Sequence, residues 1–100
     1  MTKADIVNEI VSKTTLDKND VQNTVDFFLK QVKSNMIEGK NIYFRGFGSF
    51  ILKKRAKKIA RNISKNTEMV IEEHFIPKFK PAKTFLEKVK KSEAVNRIGK

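Results

Sequence analysis

The stretch that decides the fold prediction is residues 45–61, which read RGFGSFILKKRAKKIAR. Gly46 and Gly48 can take the positive φ angles of a turn, and the β-rich run after them predicts a strand. From Lys53 to Arg61, six of nine residues are basic. Because no protein core buries so many cations, we expect this strand to leave the body of the protein as an exposed arm.

Strand signals also lie on both sides of this stretch. Residues 41–44 form a short β-rich run before it, and residues 69–71 restart one after it. Residues 62–67, between the basic run and its successor, form a polar cluster that is interrupted by one apolar residue, Ile63. Such a cluster is typical of a turn, so the two flanks are expected to pair as a long hairpin. Residues 76–81, IPKFKP, contain too much proline for a central strand.

The first 39 residues predict two helices. Thr2 and Asp17 each precede an apolar helical repeat and have an aspartate three residues later, which is the signature of a helix N-cap. We expect the first helix to end near Thr14, and Gly39 to be the C-cap of the second. The apolar face of the second helix fits a packed helical hairpin and a dimerisation face equally well; it consists of Val21, Val25, Phe28, Leu29, Val32 and Met36.

Charge is distributed unevenly along the chain. Its 100 residues include 22 Lys or Arg and 11 Asp or Glu, for a formal net charge of +11. Residues 1–39 hold five basic and six acidic side chains, residues 40–83 hold twelve and three, and residues 84–100 hold five and two. The excess therefore belongs to the segment of the predicted arm, and it is typical of a single domain that binds a polyanion.

Several classes of function are excluded by the composition. The chain has no cysteine and one histidine, His74, so it has no disulfide framework and no ligand set for a metal. It also lacks a glycine loop of the Walker type, so we do not expect an enzyme. No apolar run is long enough for a signal peptide or a membrane span. We expect a soluble cytoplasmic protein without cofactor, small-molecule substrate or membrane partner.

The end of the chain predicts one more helix. Residues 84–89 show helical spacing, with Phe85, Leu86 and Val89 turned inward. The polar residues 90–100 are expected to fray.

In the order of these elements, the chain resembles the HU/IHF family of bacterial histone-like, nucleoid-associated DNA-binding proteins. The resemblance is carried by two N-terminal helices, residues 45–50, a basic strand, a turn, and residues 76–81 before a last helix. It covers residues 1–90, and the combination of motifs is far more specific than any one of them.

The resemblance implies an α+β fold with two N-terminal helices, a three-stranded antiparallel sheet with a long β-ribbon arm, and a short C-terminal helix, in an intertwined dimer. In this HU/IHF-like domain, 1–90, the helical dimerisation part would be 1–39, the β-saddle and arm 40–81, and the last helix 82–90. Residues 91–100 would form a basic polar tail.

The resemblance also implies an architectural protein of the bacterial nucleoid that binds duplex DNA through the minor groove with little sequence specificity, bends it and compacts it. The implied DNA-binding residues are Lys53, Arg55, Lys57, Lys58, Arg61, Asn62, Ile63, Lys65, Lys80 and Lys83. The implied dimer core is Phe28, Phe47, Phe50 and Phe79. The partner subunit would be a second copy or a paralogue.

The chain departs from the family pattern at the tip of the arm. Where the family has a proline as the intercalating wedge, this chain has Ile63, and where the family has a glycine it has Ala60. Ile63 is apolar and large enough to be a wedge between base steps, or it is a chance surface isoleucine. We expect the change to affect DNA bending more than DNA binding.

Two alternative functions stay open. One is an IHF-like binder with preferred sites or DNA shapes. The other is a basic RNA-binding protein, but such proteins display aromatic side chains on a sheet for stacking. Here Tyr43 and most phenylalanines fall in core-like patterns, which favours DNA.

Overall fold

The computed structural model describes residues 1–62 and 67–99, with the backbone alone for Arg61 and Asn62. The chain divides into two compact units, Met1–Glu38 and Gly39–Lys100.

The first unit is a pair of helices, α1 (Lys3–Lys13) and α2 (Lys18–Ile37). At the start of α1 the backbone N–H of Thr2 donates to Asp5 Oδ2 at 2.8 Å, and Thr2 Oγ1 accepts from the Asp5 N–H. Asp17 caps α2 by accepting from the second and third residues of the helix. The predicted caps are therefore confirmed, because each depends on a hydrogen bond over three residues.

The apolar face of α2 is only partly covered. Val7 of α1 and Val21 and Met36 of α2 are buried, whereas Phe28 is 47% exposed and Ile37 84% exposed. Gly39 follows the C-cap residue Glu38 with a φ of 87°, so the predicted glycine lies one position beyond the cap.

The second unit contains a three-stranded antiparallel sheet with strand order β1–β2–β5 and a two-stranded arm, β3–β4. The strands are β1 (Ile42–Phe44), β2 (Gly48–Arg55), β3 (Lys58–Asn62), β4 (Thr67–Ile71) and β5 (His74–Pro81). Strand β5 lies at an edge of its sheet, as its two prolines require.

Over its described residues, the long hairpin is interrupted at one point. Arg55 pairs with His74 at the end of the sheet, and Lys58 pairs with Ile71 at the start of the arm. Residues 56–57 and 72–73 between these pairs are not assigned to strands. Because two residues are unpaired on each side, the arm resumes in the register of the sheet, without the extra residue of a β-bulge.

The turn into β2 requires glycine at Gly48. Its φ is 157°, and a Cβ built there would lie 2.6 Å from the carbonyl oxygen of Lys80 and 2.7 Å from ring atoms of Phe79. Both the backbone conformation and the close approach of β5 therefore exclude a side chain.

A cluster of phenylalanines forms the core of this unit. Phe79 lies 5.1 Å from both Phe47 and Phe50, measured between ring centroids, and Phe47 stacks on Phe85 of the last long helix at 5.6 Å. These spacings are those of favourable aromatic pairs. The cluster fixes helix α3 (Lys83–Lys90) against the sheet.

The C-terminal residues form more structure than the sequence predicted. Ser92 Oγ accepts a hydrogen bond from the Val95 N–H at 3.3 Å and caps a short helix, α4 (Glu93–Asn96). The prediction of a frayed tail is therefore wrong for these residues, because a serine N-cap followed by Glu93 favours a helical turn.

Candidate nucleic-acid interface

The register of β2 and β5 sorts their side chains onto two different faces. Paired residues of an antiparallel sheet point to the same side, and successive pairs alternate. We call the side that carries one set of alternate pairs the cationic face. Tyr43 of β1 lies on the same side, because it pairs with Ser49. The cationic face consists of Tyr43, Ser49, Ile51, Lys53, Arg55, His74, Ile76, Lys78 and Lys80.

The remaining pairs form the aromatic face, which belongs to the phenylalanine cluster. It carries Phe50 opposite Phe79 and Leu52 opposite Pro77. Near its outer end, Lys54 forms an ion pair with Glu73, with Nζ and Oε2 3.2 Å apart. The lysine of this face is therefore matched by a carboxylate, whereas no carboxylate among the described residues forms an ion pair with Lys53, Arg55 or Lys78.

The cations of the cationic face are close enough to perturb one another. The side chain of Lys53 lowers the pKa of Lys78 from its ordinary value, and partial desolvation and the positive charge of Arg55 lower it further. Concentrated positive charge of this kind is relieved by a bound anion.

An open depression continues the cationic face toward α3. Among the residues that line it are Tyr43, Arg45, Lys80 and Lys83. The Ala82 N–H donates to the Phe47 carbonyl at 2.9 Å and holds the start of α3 beside the turn. The depression therefore combines three cations with two aromatic side chains, Tyr43 and Phe44.

The position of Tyr43 differs from the sequence-based prediction. The sequence pattern predicts a core-like position for Tyr43, but the side chain is 71% exposed. In a strand of three residues, Ile42 and Phe44 are half-buried and Tyr43 between them points outward. The alternation of residues 42–44 indicates that Tyr43 points to the opposite side of the sheet from Ile42 and Phe44. It does not indicate which side of the sheet is covered by protein.

The predicted contact residues occur in four groups. Lys53, Arg55 and Lys80 lie on the cationic face and Lys83 beside it. Lys57 and Lys58 are exposed at the start of the arm. The backbones of Arg61 and Asn62 belong to β3, and Ile63 and Lys65 lie outside the described residues.

Sequence reasoning missed Arg45, Ser49 and Lys78, which share the depression or the cationic face. Lys78 and Lys80 are both separated from the basic run in sequence, and pairing with β2 brings them beside it.

The four residues of the predicted dimer core differ in burial. Phe50 and Phe79 are half-buried inside the aromatic cluster. Phe47, although it contacts three other rings, is still 48% exposed, and Phe28 of α2 is 47% exposed.

Two further properties concern the described residues as a group. Among residues 1–62 and 67–99, no cluster of His, Asp and Glu is arranged to hold a metal ion. His74 instead donates from Nδ1 to the Glu72 carbonyl at 2.9 Å. In the same ranges no helix combines the length and apolar character that crossing a membrane requires.

Comparison with known proteins decides the family. The family described as bacterial DNA-binding protein matches residues 1–90. This chain belongs to that family, the family of HU and IHF. Its members are DNA-binding proteins without enzymatic activity, which confirms both the resemblance and the expectation that the chain is not an enzyme.

Relatives of this HU/IHF-type protein are similar over nearly its whole length. Integration host factor subunit beta of Shewanella amazonensis is 34% identical over 97 residues, which cover 96% of this chain and 99% of that protein. DNA-binding protein HU of Thermotoga maritima is 33% identical over 90 residues, covering 90% of this chain and all of that one.

Solved structures agree with the fold. An Anabaena HU cocrystallised with DNA superposes with a TM-score of 0.84 at 27% identity, covering 92% of this chain and 100% of that one. A Thermotoga maritima HU variant gives 0.67 at 29% identity, covering 89% and 99%. The predicted α+β fold of two helices, three-stranded sheet, arm and C-terminal helix is therefore confirmed.

Proposed function

We propose that this HU/IHF-type architectural protein holds duplex DNA against its cationic face and bends it between its arms. The observation that carries the proposal is the separation of the two faces of one sheet. Lys53, Arg55 and Lys78 project opposite the aromatic cluster and have no carboxylate partners among the described residues, while Lys54 on the other face is paired with Glu73. A sheet divided in this way is covered by protein on one side and free for a polyanion on the other.

The energetic reason is the release of counterions. Each lysine or arginine that neutralises a phosphate releases condensed cations from duplex DNA, and log K falls with log salt by about 0.9 per contact. This attraction reads no base sequence. A site made of exposed cations on a flat sheet is therefore expected to bind unrelated duplexes with similar affinity.

Particular roles follow for the predicted residues. Lys53, Arg55, Lys80 and Lys83 would contact phosphates under the arms, with Arg45 and Lys78 beside them. A longer set would follow the minor groove along the arm: Lys57, Lys58, Arg61, Asn62 and Lys65. Ile63 would be the wedge between base steps, a mechanism for which HU and IHF are themselves defining examples.

We further propose that the working form is a dimer. Among the described residues, the buried hydrophobic side chains are Val7, Val21 and Met36, which is a small core for a chain of 100 residues. The half-exposed rings of Phe28 and Phe47 are available to a second subunit. Each phenylalanine that a partner covers completely contributes about 1.5–3 kcal/mol.

We also propose that the protein acts at the bacterial nucleoid, which is supported by its membership of a bacterial DNA-binding family.

The proposed dimer can be tested in solution. Sedimentation at micromolar concentration is expected to find two chains per particle. A folded monomer under these conditions would contradict the dimer, and mass spectrometry of the native complex would distinguish a second copy from a paralogue.

The DNA function is tested by comparing the affinity of the protein for different nucleic acids. Fluorescence anisotropy would compare three unrelated linear duplexes with a nicked duplex, a four-way junction and double-stranded RNA at two salt concentrations. We expect the linear duplexes to bind within about tenfold of one another and RNA more weakly. A preference of about 10³ or more for one duplex is the size of a specific-site ratio. It would indicate an IHF-like binder with preferred sites instead.

A further inference from the structure

The open depression beside α3 contains a row of residues that crosses all three strands of the sheet. Tyr43 pairs with Ser49, and Ser49 pairs with Lys80, so the three lie in line across β1, β2 and β5. Paired residues point to the same side of a sheet, and neighbouring strands lie about 4.8 Å apart. The tyrosine and lysine side chains therefore leave one surface at points about 10 Å apart.

The middle of this row is low because its residues are small. Ser49 lies between the two longer side chains, and Gly46 of the adjoining turn also lines the depression. The depression has a volume of about 720 Å³, which is in the range of small-molecule sites. It is a trough that has an aromatic ring at one end and a lysine at the other.

The aromatic end of the trough is available for stacking. Tyr43 is 71% exposed. Among the described residues, no aromatic ring pairs with Tyr43 and no group forms a hydrogen bond with its hydroxyl. Every nucleobase has a flat face that stacks on such a ring, whatever its sequence of hydrogen-bonding groups.

The cations of the trough are available for phosphate. Arg45, Lys80 and Lys83 line the depression, and none of them forms an ion pair with a described carboxylate. Arginine can donate two parallel hydrogen bonds to phosphate oxygens, and lysine binds phosphate as a compact charge. Three unmatched cations are suited to a group that carries more than one negative charge, such as a diphosphate or a triphosphate.

We propose that this trough binds nucleoside diphosphates and triphosphates. The base stacks on Tyr43, the sugar lies over the small side chain of Ser49, and Arg45, Lys80 and Lys83 hold the phosphates. The order of groups along the trough matches the ligand, because the base and the phosphates of a nucleotide are attached at opposite ends of its sugar. An inorganic polyanion would use the cations and leave the tyrosine ring unoccupied.

The first measurement uses Tyr43 itself, which is the one tyrosine of a chain that has no tryptophan. Nuclear magnetic resonance of the full chain with isotope-labelled tyrosine would follow its ring signals during titrations with ADP, adenosine and pyrophosphate. We expect ADP to shift these signals upfield, because they then lie over a stacked base. We also expect ADP to bind at least about fivefold more tightly than pyrophosphate, since one stacked base contributes that much or more. Ring signals that do not move at saturating ADP, or equal affinities for ADP and pyrophosphate, would overturn the proposal.

Two matched pairs of variants identify the groups, with ADP affinity measured by isothermal titration calorimetry. Tyr43→Leu loses the ring and is expected to weaken binding at least about fivefold, whereas Tyr43→Phe keeps the ring and should bind nearly as tightly as the unaltered chain. Lys80→Gln is expected to weaken binding at least about fivefold, whereas Lys54→Gln on the aromatic face should not change it. Equal affinities within either pair would also count against the trough.

These titrations contain no DNA, so their outcome does not depend on the proposed function. Lys80 and Lys83 belong both to the trough and to the surface proposed for DNA. A protein that binds duplex DNA but not ADP would overturn the nucleotide site alone, and one that binds ADP but not duplex DNA would overturn the proposed function alone.

Discussion

Gly48→Ala tests the contact between β2 and β5 that sets the two faces of the sheet. The φ of 157° is a backbone conformation that costs a residue with a side chain about 1–3 kcal/mol. The added Cβ would also lie 2.6 Å from a backbone carbonyl oxygen and 2.7 Å from the ring of Phe79. Neither group is the flexible end of a side chain, so we add about 1–3 kcal/mol for overpacking.

The expected total is about 2–6 kcal/mol, a large part of the roughly 5–15 kcal/mol by which a protein of this kind is stable. Since about 1 kcal/mol shifts Tm by about 4–8 °C in a domain of this size, we expect Tm to fall by at least about 10 °C. Thermal unfolding followed by circular dichroism, at one fixed protein concentration, would measure it.

Gly46→Ala provides the matched control. Gly46 also has a positive φ, 80°, but a Cβ there would have no neighbouring atom within 4 Å. It is expected to cost about 1–2 kcal/mol, the backbone term alone. If the two variants lowered Tm equally, the close approach of Lys80 and Phe79 to Gly48 would contribute nothing to the cost, which contradicts the overpacking expected at Gly48.

Three further predictions concern a cap, the arm and the depression. Thr2→Ala removes one half of the α1 capping box and should cost about 1 kcal/mol in urea unfolding, whereas an unchanged midpoint would contradict that role. Ile63→Ala should reduce DNA bending, measured by energy transfer between the ends of a labelled duplex, more than affinity; unchanged bending would exclude the wedge. Tyr43→Phe removes one neutral hydrogen-bonding group, so it should weaken DNA binding without altering the salt dependence of log K. A change in that dependence would count against a neutral contact.

The features that the sequence predicted correctly depend on local rules. The caps at Thr2 and Asp17 each require a partner two or three residues away, so they can be recognised without knowing the tertiary fold. The two prolines of residues 76–81 predicted that β5 is not a central strand, because proline cannot donate to a neighbouring strand.

The features that the sequence did not predict depend on pairing between distant residues. Lys78 and Tyr43 join the cationic face only through the register of β5 and β1 with β2. The interruption at residues 56–57 has no proline or glycine to mark it, and it matches one at residues 72–73 on the opposite strand. A single strand read by itself contains neither piece of information.

The assignment of DNA to the cationic face is tested most directly by comparing two neighbouring lysines on opposite faces of β2. Salt titrations of DNA binding would be measured for Lys53→Gln and Lys54→Gln, which remove the same charge at adjacent positions. We expect Lys53→Gln to reduce the magnitude of the slope of log K against log salt by about 0.9 per subunit. We expect Lys54→Gln, whose charge is already matched by Glu73, to leave the slope nearly unchanged. Equal slopes for the two variants, or a larger loss for Lys54→Gln, would contradict the assignment of DNA to the cationic face.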